Sequence, residues 1–527
     1  MFLSSAHDDS IDVTWDTIII GAGAVGLVAG VCLSKRGHRV LILESGSRHH
    51  AAHAQRLNDC NSVGRFHSGI RDGRARIVGG TTTLWGGQLT KFVAPDLLPR
   101  EAAGYRQWPI GFSKIETNYR RVADLLGLDL EYFDDEQLIA KVGISHAHET
   151  GHCRLFFTRW LQQPNLARYF AEEIESSALM CILPETHANG VLFDAHSRTI
   201  QAVTAVNHQG KSLTFSGHTV ILAAGTIEIS RFLLLTAKKH PALPWASNQN
   251  VGRYFQDHLD IEIGGINREN QRGLQALFEN IIINGHKYQP KVRFSDEHIL
   301  ARGLLNVACS LKYESAFADD IDFLKIVVKS FRSGKSIANP LATILRVCSL
   351  AKIWMPLAWH YLRNRRILSL ADQGIRIIAH CEQTPESDSR IMLDSVRVDR
   401  FGDPVAKLNW KIDERAQIRA IHEFAGCFRD YIKTVSGSMV EILPSVINGD
   451  PSLLDQARDS YHQCGGACMG KSSEDGVVDA SSRPFGVDNM YVAGSAVFPS
   501  SSYANPTFTA LALTLDVVDH ICQRAKE

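Results

Sequence analysis

Gly21, Gly23 and Gly26 stand in the spacing G-x-G-x-x-G, and Glu44 follows 18 positions after the last of them. This combination can hold a nucleotide. Gly21 allows a tight turn, Gly23 lets the backbone approach a pyrophosphate, and Gly26 lets a helix pack closely on a strand. A carboxylate at the Glu44 position can accept both ribose hydroxyls. Residues 76–89, RIVGGTTTLWGGQL, place Gly79, Gly80, Trp85, Gly86 and Gly87 in a loop whose backbone could lie against a flat ligand. Gly225 forms the turn in TVILAAGTIEISRFLLL (219–235). Near the C-terminus, Asn505 precedes Pro506. A residue before proline is pushed out of the helical region, and proline suits the first helical position. Asn505 therefore reads as a helix N-cap, with Pro506 and Thr507 in the first turn and Phe508, Leu511, Leu515 and Val518 along one face. Such a helix start can direct its dipole at a group that gains negative charge.

The glycines need elements to hold them. Thr17 to Ile20 is a short β-branched run that reads as a buried parallel strand. A helical pattern runs from Leu27 to Arg36 and stops at Gly37, and Val40 to Leu43 is a second apolar strand ending at Glu44. This is a complete βαβ unit. The plain alternative is a glycine-rich turn with no ligand, and the complete unit with its placed acid argues against it. NAD and FAD both use such a unit, and it does not choose between them.

Composition sets wider bounds. The chain has 527 residues, 45% hydrophobic and 21% charged, as expected of a globular protein rather than a disordered or fibrous one. Fifty-six basic residues balance fifty-six acidic ones, so the surplus expected of a nucleic-acid binder is missing and no nucleic-acid partner is expected. The first 14 residues hold Asp8, Asp9 and Asp12 and no Lys or Arg, unlike a secretion signal. No uncharged apolar run reaches the ~18 residues of a spanning helix. Eleven cysteines are few for this length, so they are expected as reduced thiols in a cytoplasmic protein.

The βαβ unit, GGTTTLWGG, AAGTIEISRFLLL, NVGRYFQDH at 250–258, YHQCGGACMG at 461–470 and GVDNMYVAGSAVFPSSSYANPTFTALAL at 486–513 follow one another in an order that resembles the glucose–methanol–choline (GMC) oxidoreductases. Leu84-Trp85-Gly86-Gly87 and the stretch PESDSRIMLDSVRVDRFGDPVAKLNW at 385–410 are similar to the bacterial sugar-oxidising branch, near pyranose oxidase and the gluconate and fructose dehydrogenases.

The resemblance implies an α/β FAD-binding Rossmann-like domain plus an α+β substrate domain with an antiparallel sheet, one face of which roofs the flavin. The FAD domain is expected at 1–100, 200–260 and 455–527, the substrate domain at 261–454, and a connecting or cap region at 101–199. Within the substrate domain, Arg390 to Val398 and Val405 to Trp410 read as paired strands. The implied activity is FAD-dependent oxidation of an alcohol (CH–OH) group by hydride transfer to flavin N5, with a small-molecule alcohol as substrate. The resemblance makes His462 the base and Asn505 the residue that orients the hydroxyl. The strand from Met490 to Ala493 would bring Gly494 and Ser495 to the cofactor phosphates or ribityl chain, and the helix start at Pro506 and Thr507 would face the N1–C2 edge of the flavin. In pyranose oxidase a histidine between Thr and Trp bonds to the flavin; Leu84 stands there here, so non-covalent FAD is expected.

Two departures from the family pattern stand out. Gly465-Gly466 replace the usual Gly-Thr after the histidine, and Cys464 and Cys468 lie close by. Small residues packing near the flavin explain these better than a metal site, because His462 is already needed as a base. His146, His148, His152 and Cys153, and His49, His50 and His53, have spacings that zinc could use, yet solvated loops account for them, and no metal is expected.

Substrate and electron acceptor stay open: a sugar-like hydroxyl, a lipid-like or aromatic alcohol, or a flavin-binding protein without turnover. One segment fits none of these directly. Between Asp322 and Asp372 there is no acid, while Lys325, Lys329, Arg332, Lys335, Arg346, Lys352, Arg363, Arg365 and Arg366 surround an apolar centre with Trp354, Trp359 and Tyr361. The segment 325–366 reads either as helices packed on the substrate-domain sheet, broken into two by Pro356, or as a peripheral attachment to the inner face of an anionic membrane, or as a site for another anionic partner.

Overall fold

Trp15–Ile20 lies between Val40–Leu43 and Ser212–Leu222, parallel to both. The architecture is known from a computed structural model that describes residues 13–104, 106–266, 271–332 and 339–526. The central strand is buried along nearly its whole length, as its β-branched run requires. The helix Ala24–Ser34 leaves this strand directly after Gly23. A methyl group at Gly26 would lie 1.9 Å from the Gly21 carbonyl oxygen, so only glycine lets helix and turn approach this closely. Met180–Leu183 extends the sheet beyond Val40–Leu43, and Met490–Val492 pairs in parallel with Ser212–Leu222. The other end of Ser212–Leu222 continues into the antiparallel strands Thr199–Asn207 and Thr186–Asp194. The C-terminal helix Pro506–Arg524 is buried nearly all round and packs on Ala24–Ser34 and Phe112–Leu125. Phe508, Leu511, Leu515 and Val518 all lie in that core.

The second sheet is antiparallel throughout and has eleven strands. Its long members are Leu259–Ile266, His286–Phe294, Val307–Glu314, Gly374–Cys381 and Cys153–Trp160. Side chains alternate between its faces, with a register shift at Glu262–Gly264. Ile261, Val292, Cys309, Ile377 and Ala379 point to a fully buried outer face. There the helix Glu414–Ser436 lays Ile421, Phe424, Phe428 and Tyr431 over the sheet. The helix is fixed at its start by Asp413, whose side chain accepts the Ala416 N–H, and at its end by Gly437 at φ +69°. The other face mixes polar side chains with Phe156, Ala308 and Ile378.

The FAD-type α/β domain with a substrate domain built on an antiparallel sheet is thus the observed architecture, but the chain is shared between its parts more finely than its sequence suggests. Residues 101–199, read from sequence as a connecting region, give Cys153–Trp160 to the roof sheet and Met180–Leu183 and Thr186–Asp194 to the nucleotide sheet. Arg390–Val398 and Pro404–Trp410 do pair, yet they form a separate three-stranded sheet with Cys60–Gly64 and not part of the roof.

The basic segment departs furthest from expectation. It holds the helices Ala318–Arg332, Pro340–Ser349 and Ala351–Asn364; Lys335 lies outside the described residues. The latter two contain no fully buried residue; Ile353, Leu357 and Tyr361 are half-buried, so their apolar residues pack on the rest of the protein only in part. The break falls at Leu350, with a bend of 75°, and Pro356 sits inside the second helix. The indole N–H of Trp354 closes the bend by donating to the Val347 carbonyl at 3.0 Å.

Candidate active site

A groove runs along the C-terminal ends of the parallel strands. It is lined in part by Gly21, Gly23, Glu44, Gly80, Trp85, Gly225, Gly494, Ser495, Pro506 and Thr507. A methyl group at Gly23 would meet no protein atom within 4 Å and would project into this groove. Gly80 lies against Gly23, where a methyl group would come within 2.8 Å of the Gly23 Cα. Gly26, Gly79, Gly86 and Gly87 do not line the groove. Gly86 and Gly87 make room for the Trp160 ring and Pro164, so they set the loop's packing.

Glu44 is buried at one end. Its Oε2 accepts the Ala22 N–H at 2.9 Å and its Oε1 the Gly46 N–H at 2.7 Å. Burial pushes its carboxyl above the usual range, and these two N–H groups oppose the shift. Arg74, Arg76 and Arg231 surround Glu228 beside the groove, with Arg76 closest at 2.7 Å. Burial alone would raise the Glu228 pKa, and the three guanidinium groups outweigh it and hold the carboxyl well below its ordinary value. Ser495 turns its hydroxyl to the Gln463 carbonyl at 2.8 Å, as Thr226 does at 2.9 Å. This fixes the backbone next to His462.

At the other end of the groove, His462 Nε2 lies 2.9 Å from Asn505 Nδ2, and His462 Nδ1 lies 3.0 Å from His258 Nδ1. The His462 N–H donates to Asp257 Oδ1 at 2.8 Å. Asp257 accepts the His258 N–H through the same oxygen, and its Oδ2 lies 2.9 Å from His67 Nε2. Tyr461, just before the histidine, holds φ +64°, a strained value for a non-glycine residue. His462 is thus gripped from its backbone and both ring nitrogens. Burial, then the neighbouring His258, drive its pKa well below the ordinary imidazole value. This favours the neutral imidazole.

The tautomer follows from the partners. His258 Nε2 lies 3.2 Å from the Ser501 carbonyl, which can only accept, so Nε2 carries the proton. Burial lowers the His258 pKa, which keeps its ring neutral and leaves Nδ1 as an acceptor. His462 must then donate from Nδ1, and its Nε2 lone pair accepts from the Asn505 amide N–H.

Above this pair, the inner face of the roof sheet carries Asp260, Gln289, Lys291, Ser310 and His380. His380 bridges Asp260 at 2.7 Å and Ser310 at 2.8 Å. Gln88 donates to Gln289 at 2.9 Å. Burial lowers the Lys291 ammonium to about 8. Burial opposes ionisation of Asp260, but the His380 contact outweighs it and holds the carboxylate ionised.

Among the described residues, the one cluster with metal-compatible spacing is His67, Asp257 and Asp459. Those atoms already bond to one another and to the Ser68 and Gly69 N–H groups, so the cluster reads as a buried brace beneath His462. His146, His148, His152 and Cys153 do not converge: the Cys153 thiol is buried, while His152 is exposed and stacks on His298. Cys464 and Cys468 are buried thiols whose pKa values burial raises.

The model for FAD-dependent oxidoreductases matches residues 16–246, and the model for the C-terminal domain of GMC oxidoreductases matches 385–514. Residues 385–514 are thus similar to the C-terminal domain of the GMC oxidoreductases, and residues 16–246 to FAD-dependent oxidoreductases. Fructose dehydrogenase large subunit of Gluconobacter japonicus is 23% identical over 347 residues, 66% of this chain and 54% of that subunit. Oxygen-dependent choline dehydrogenase of Rhizobium rhizogenes is 30% identical over 135 residues, 23% of this chain and 24% of that enzyme. The chain thus matches about half or less of the length of these curated relatives. The fold matches formate oxidase of Aspergillus oryzae with a TM-score of 0.58 at 15% identity, covering 98% of this chain and 99% of that one. Pyridoxine 4-oxidase from Mesorbium loti matches with a TM-score of 0.56 at 16% identity, over 96% and 99% of the two chains.

The stretch similar to FAD-dependent oxidoreductases carries Gly21, Gly23, Glu44, Gly80 and Gly225 of this groove, and the residues here fit FAD. The Gly23–Gly80 contact leaves a cradle that any side chain at Gly23 would fill, and the Glu44 oxygens keep lone pairs for ribose hydroxyls. Gly494 and Pro506-Thr507 follow the groove to the His462 end. Bound FAD supplies a hydride acceptor. Among the chain's own residues, His462 Nε2 and the Asn505 amide stand together at the end of this groove. The residues not evident from sequence are His258, Asp257 and Thr90, whose hydroxyl donates to Asn505 Oδ1 at 2.8 Å. NVGRYFQDH ends in Asp257-His258, so the signal stood in a motif whose residues carried no assigned role.

Proposed function

We propose that this protein is a GMC oxidoreductase that oxidises a CH–OH group of a small polar, sugar-like alcohol, with His462 as base, Asn505 as the orienting group and FAD held without a covalent bond. One observation carries the substrate reading. The roof over His462 and Asn505 is lined by Asp260, Gln289, Lys291, Ser310 and His380, a set of donors and acceptors suited to several hydroxyls at once. These groups pair in part with one another, and an apolar alcohol would desolvate their remaining donors and acceptors at a cost of about 1–3 kcal/mol for each one left unsatisfied. Leu84 supports non-covalent FAD, since it offers no nucleophile and lines the outer cleft rather than the groove. The named activity of the fructose dehydrogenase relative agrees with this reading.

Anaerobic mixing with sugars, polyols, pyridoxine-like aromatics and long-chain alcohols tests it. Sugars or polyols should bleach the flavin, and His462→Ala should slow that bleaching by about 10²-fold or more while retaining flavin. Bleaching by long-chain alcohols alone would overturn the substrate reading. Flavin that stays with acid-precipitated protein would overturn non-covalent attachment.

A further inference from the structure

The helices at 318–364 form an insert between the roof strands Val307–Glu314 and Gly374–Cys381, and their surface is inside out. On Ala351–Asn364, His360 turns inward to Glu279 at 3.1 Å, and Ile353, Leu357 and Tyr361 are half-buried beside it. The opposite stripe, Met355, Trp359 and Leu362, faces outward with exposures of 56, 67 and 65%. Leu341, Ile344 and Leu345 are likewise exposed on Pro340–Ser349. Among the described residues, twelve of the twenty-three exposed large apolar side chains fall between Phe317 and Ile367. A surface helix ordinarily presents its polar face to water.

Charge identifies what covers this face. Lys352, Arg363 and Arg365 are exposed beside the apolar stripe, and no acid occurs between Asp322 and Asp372. Among the described residues, no single helix is long and apolar enough to cross a membrane; the pair Pro340–Ser349 and Ala351–Asn364 reaches that composition only together, across its 75° bend. A bent pair with an apolar outer stripe, an aromatic side chain and flanking cations suits the boundary between head groups and acyl chains.

We propose that this insert docks the protein onto an anionic lipid bilayer, with Met355, Trp359 and Leu362 in the interface and Lys352, Arg363 and Arg365 at the head groups. The docked face borders a cleft of about 2210 Å³ that runs from Trp354, Leu357 and Tyr361 to Thr82, Leu84 and Trp85 beside the cofactor groove. Docking would thus set the cleft at the membrane surface. The inference stands apart from the choice of alcohol.

Flotation of the flavin-loaded protein with phosphatidylglycerol vesicles, against phosphatidylcholine vesicles, tests it. At low ionic strength the protein should float with the anionic vesicles and Trp359 emission should shift to the blue. Arg363→Gln with Arg365→Gln should weaken partition about 30-fold. Met355→Ser, Trp359→Ser and Leu362→Ser together should abolish flotation while flavin content stays unchanged, because all three side chains lie outside cleft and groove. Absence of flotation at low salt would overturn the proposal, and so would equal flotation of the triple variant. A wild-type oligomer that ignores vesicles and is dissociated by the triple substitution would assign the face to a protein contact and overturn it too.

Discussion

Asn505 Nδ2 lies 2.9 Å from His462 Nε2, while the Thr90 hydroxyl lies 2.8 Å from Asn505 Oδ1. Asn505 occupies the N-cap position of Pro506–Arg524, as its place before proline requires, but its side chain makes no capping hydrogen bond. Both ends of the amide are already engaged across the site. Asn505→Ala should therefore slow flavin reduction without the loss of about 1 kcal/mol that removal of a capping side chain costs. Thermal unfolding of the flavin-free variant checks this: a drop matching a full cap loss would show that the side chain caps the helix in solution.

His258 acts through His462 and is a positioning residue. Its Nδ1 accepts from His462 Nδ1, which selects the tautomer with the lone pair on Nε2, facing Asn505 Nδ2. His258→Ala should lower the flavin-reduction rate by about 10-fold or more with FAD retained, because the base loses its fixed tautomer and orientation. His258→Asn, which keeps an acceptor, should recover part of the rate. Equal rates for the two variants would remove the tautomer role, since a purely structural contribution does not depend on an acceptor at this point.

The cofactor unit was legible in the sequence because it is local: strand, glycine turn, helix and Glu44 lie within 30 residues and each follows from nearest-neighbour chemistry. The His258–His462 contact joins positions 204 apart, and nothing in either local pattern gives their distance. The Asn505 side chain was misplaced for a related reason. A local rule assigns it to its own helix, and a tertiary partner outcompetes that helix. Whether the apolar residues at 340–364 pack on the sheet or face outward stays open in the sequence, because local composition does not say which way a helix face turns.

The depressed pKa of His462 has a kinetic signature. Its proton-accepting form is the neutral one, and burial holds the folded-state pKa well below the ordinary value. The neutral fraction is therefore complete above that depressed value and is lost only as pH falls through it. Flavin reduction by a non-ionising alcohol should stay level as pH falls from 8 through the ordinary imidazole range near 6.5. A stopped-flow profile with a midpoint at or above that range would place the titrating base elsewhere, or show a solvated His462.

Two glycines of the same motif should fail in opposite ways. A methyl group at Gly23 meets no protein atom within 4 Å, whereas one at Gly26 lies 1.9 Å from the Gly21 carbonyl oxygen. Gly23→Ala should therefore fold with nearly unchanged stability in the flavin-free state and lose FAD affinity, because its methyl group occupies the space where the cofactor backbone must approach. Gly26→Ala should lower stability with or without FAD, since the helix must move away from the turn to relieve a backbone clash. Apo-protein unfolding combined with FAD titration separates the two. If Gly23→Ala binds FAD as wild type does, the pyrophosphate does not pass over Gly23. If Gly26→Ala unfolds as wild type does, the helix and its strand tolerate a wider spacing than the observed packing implies.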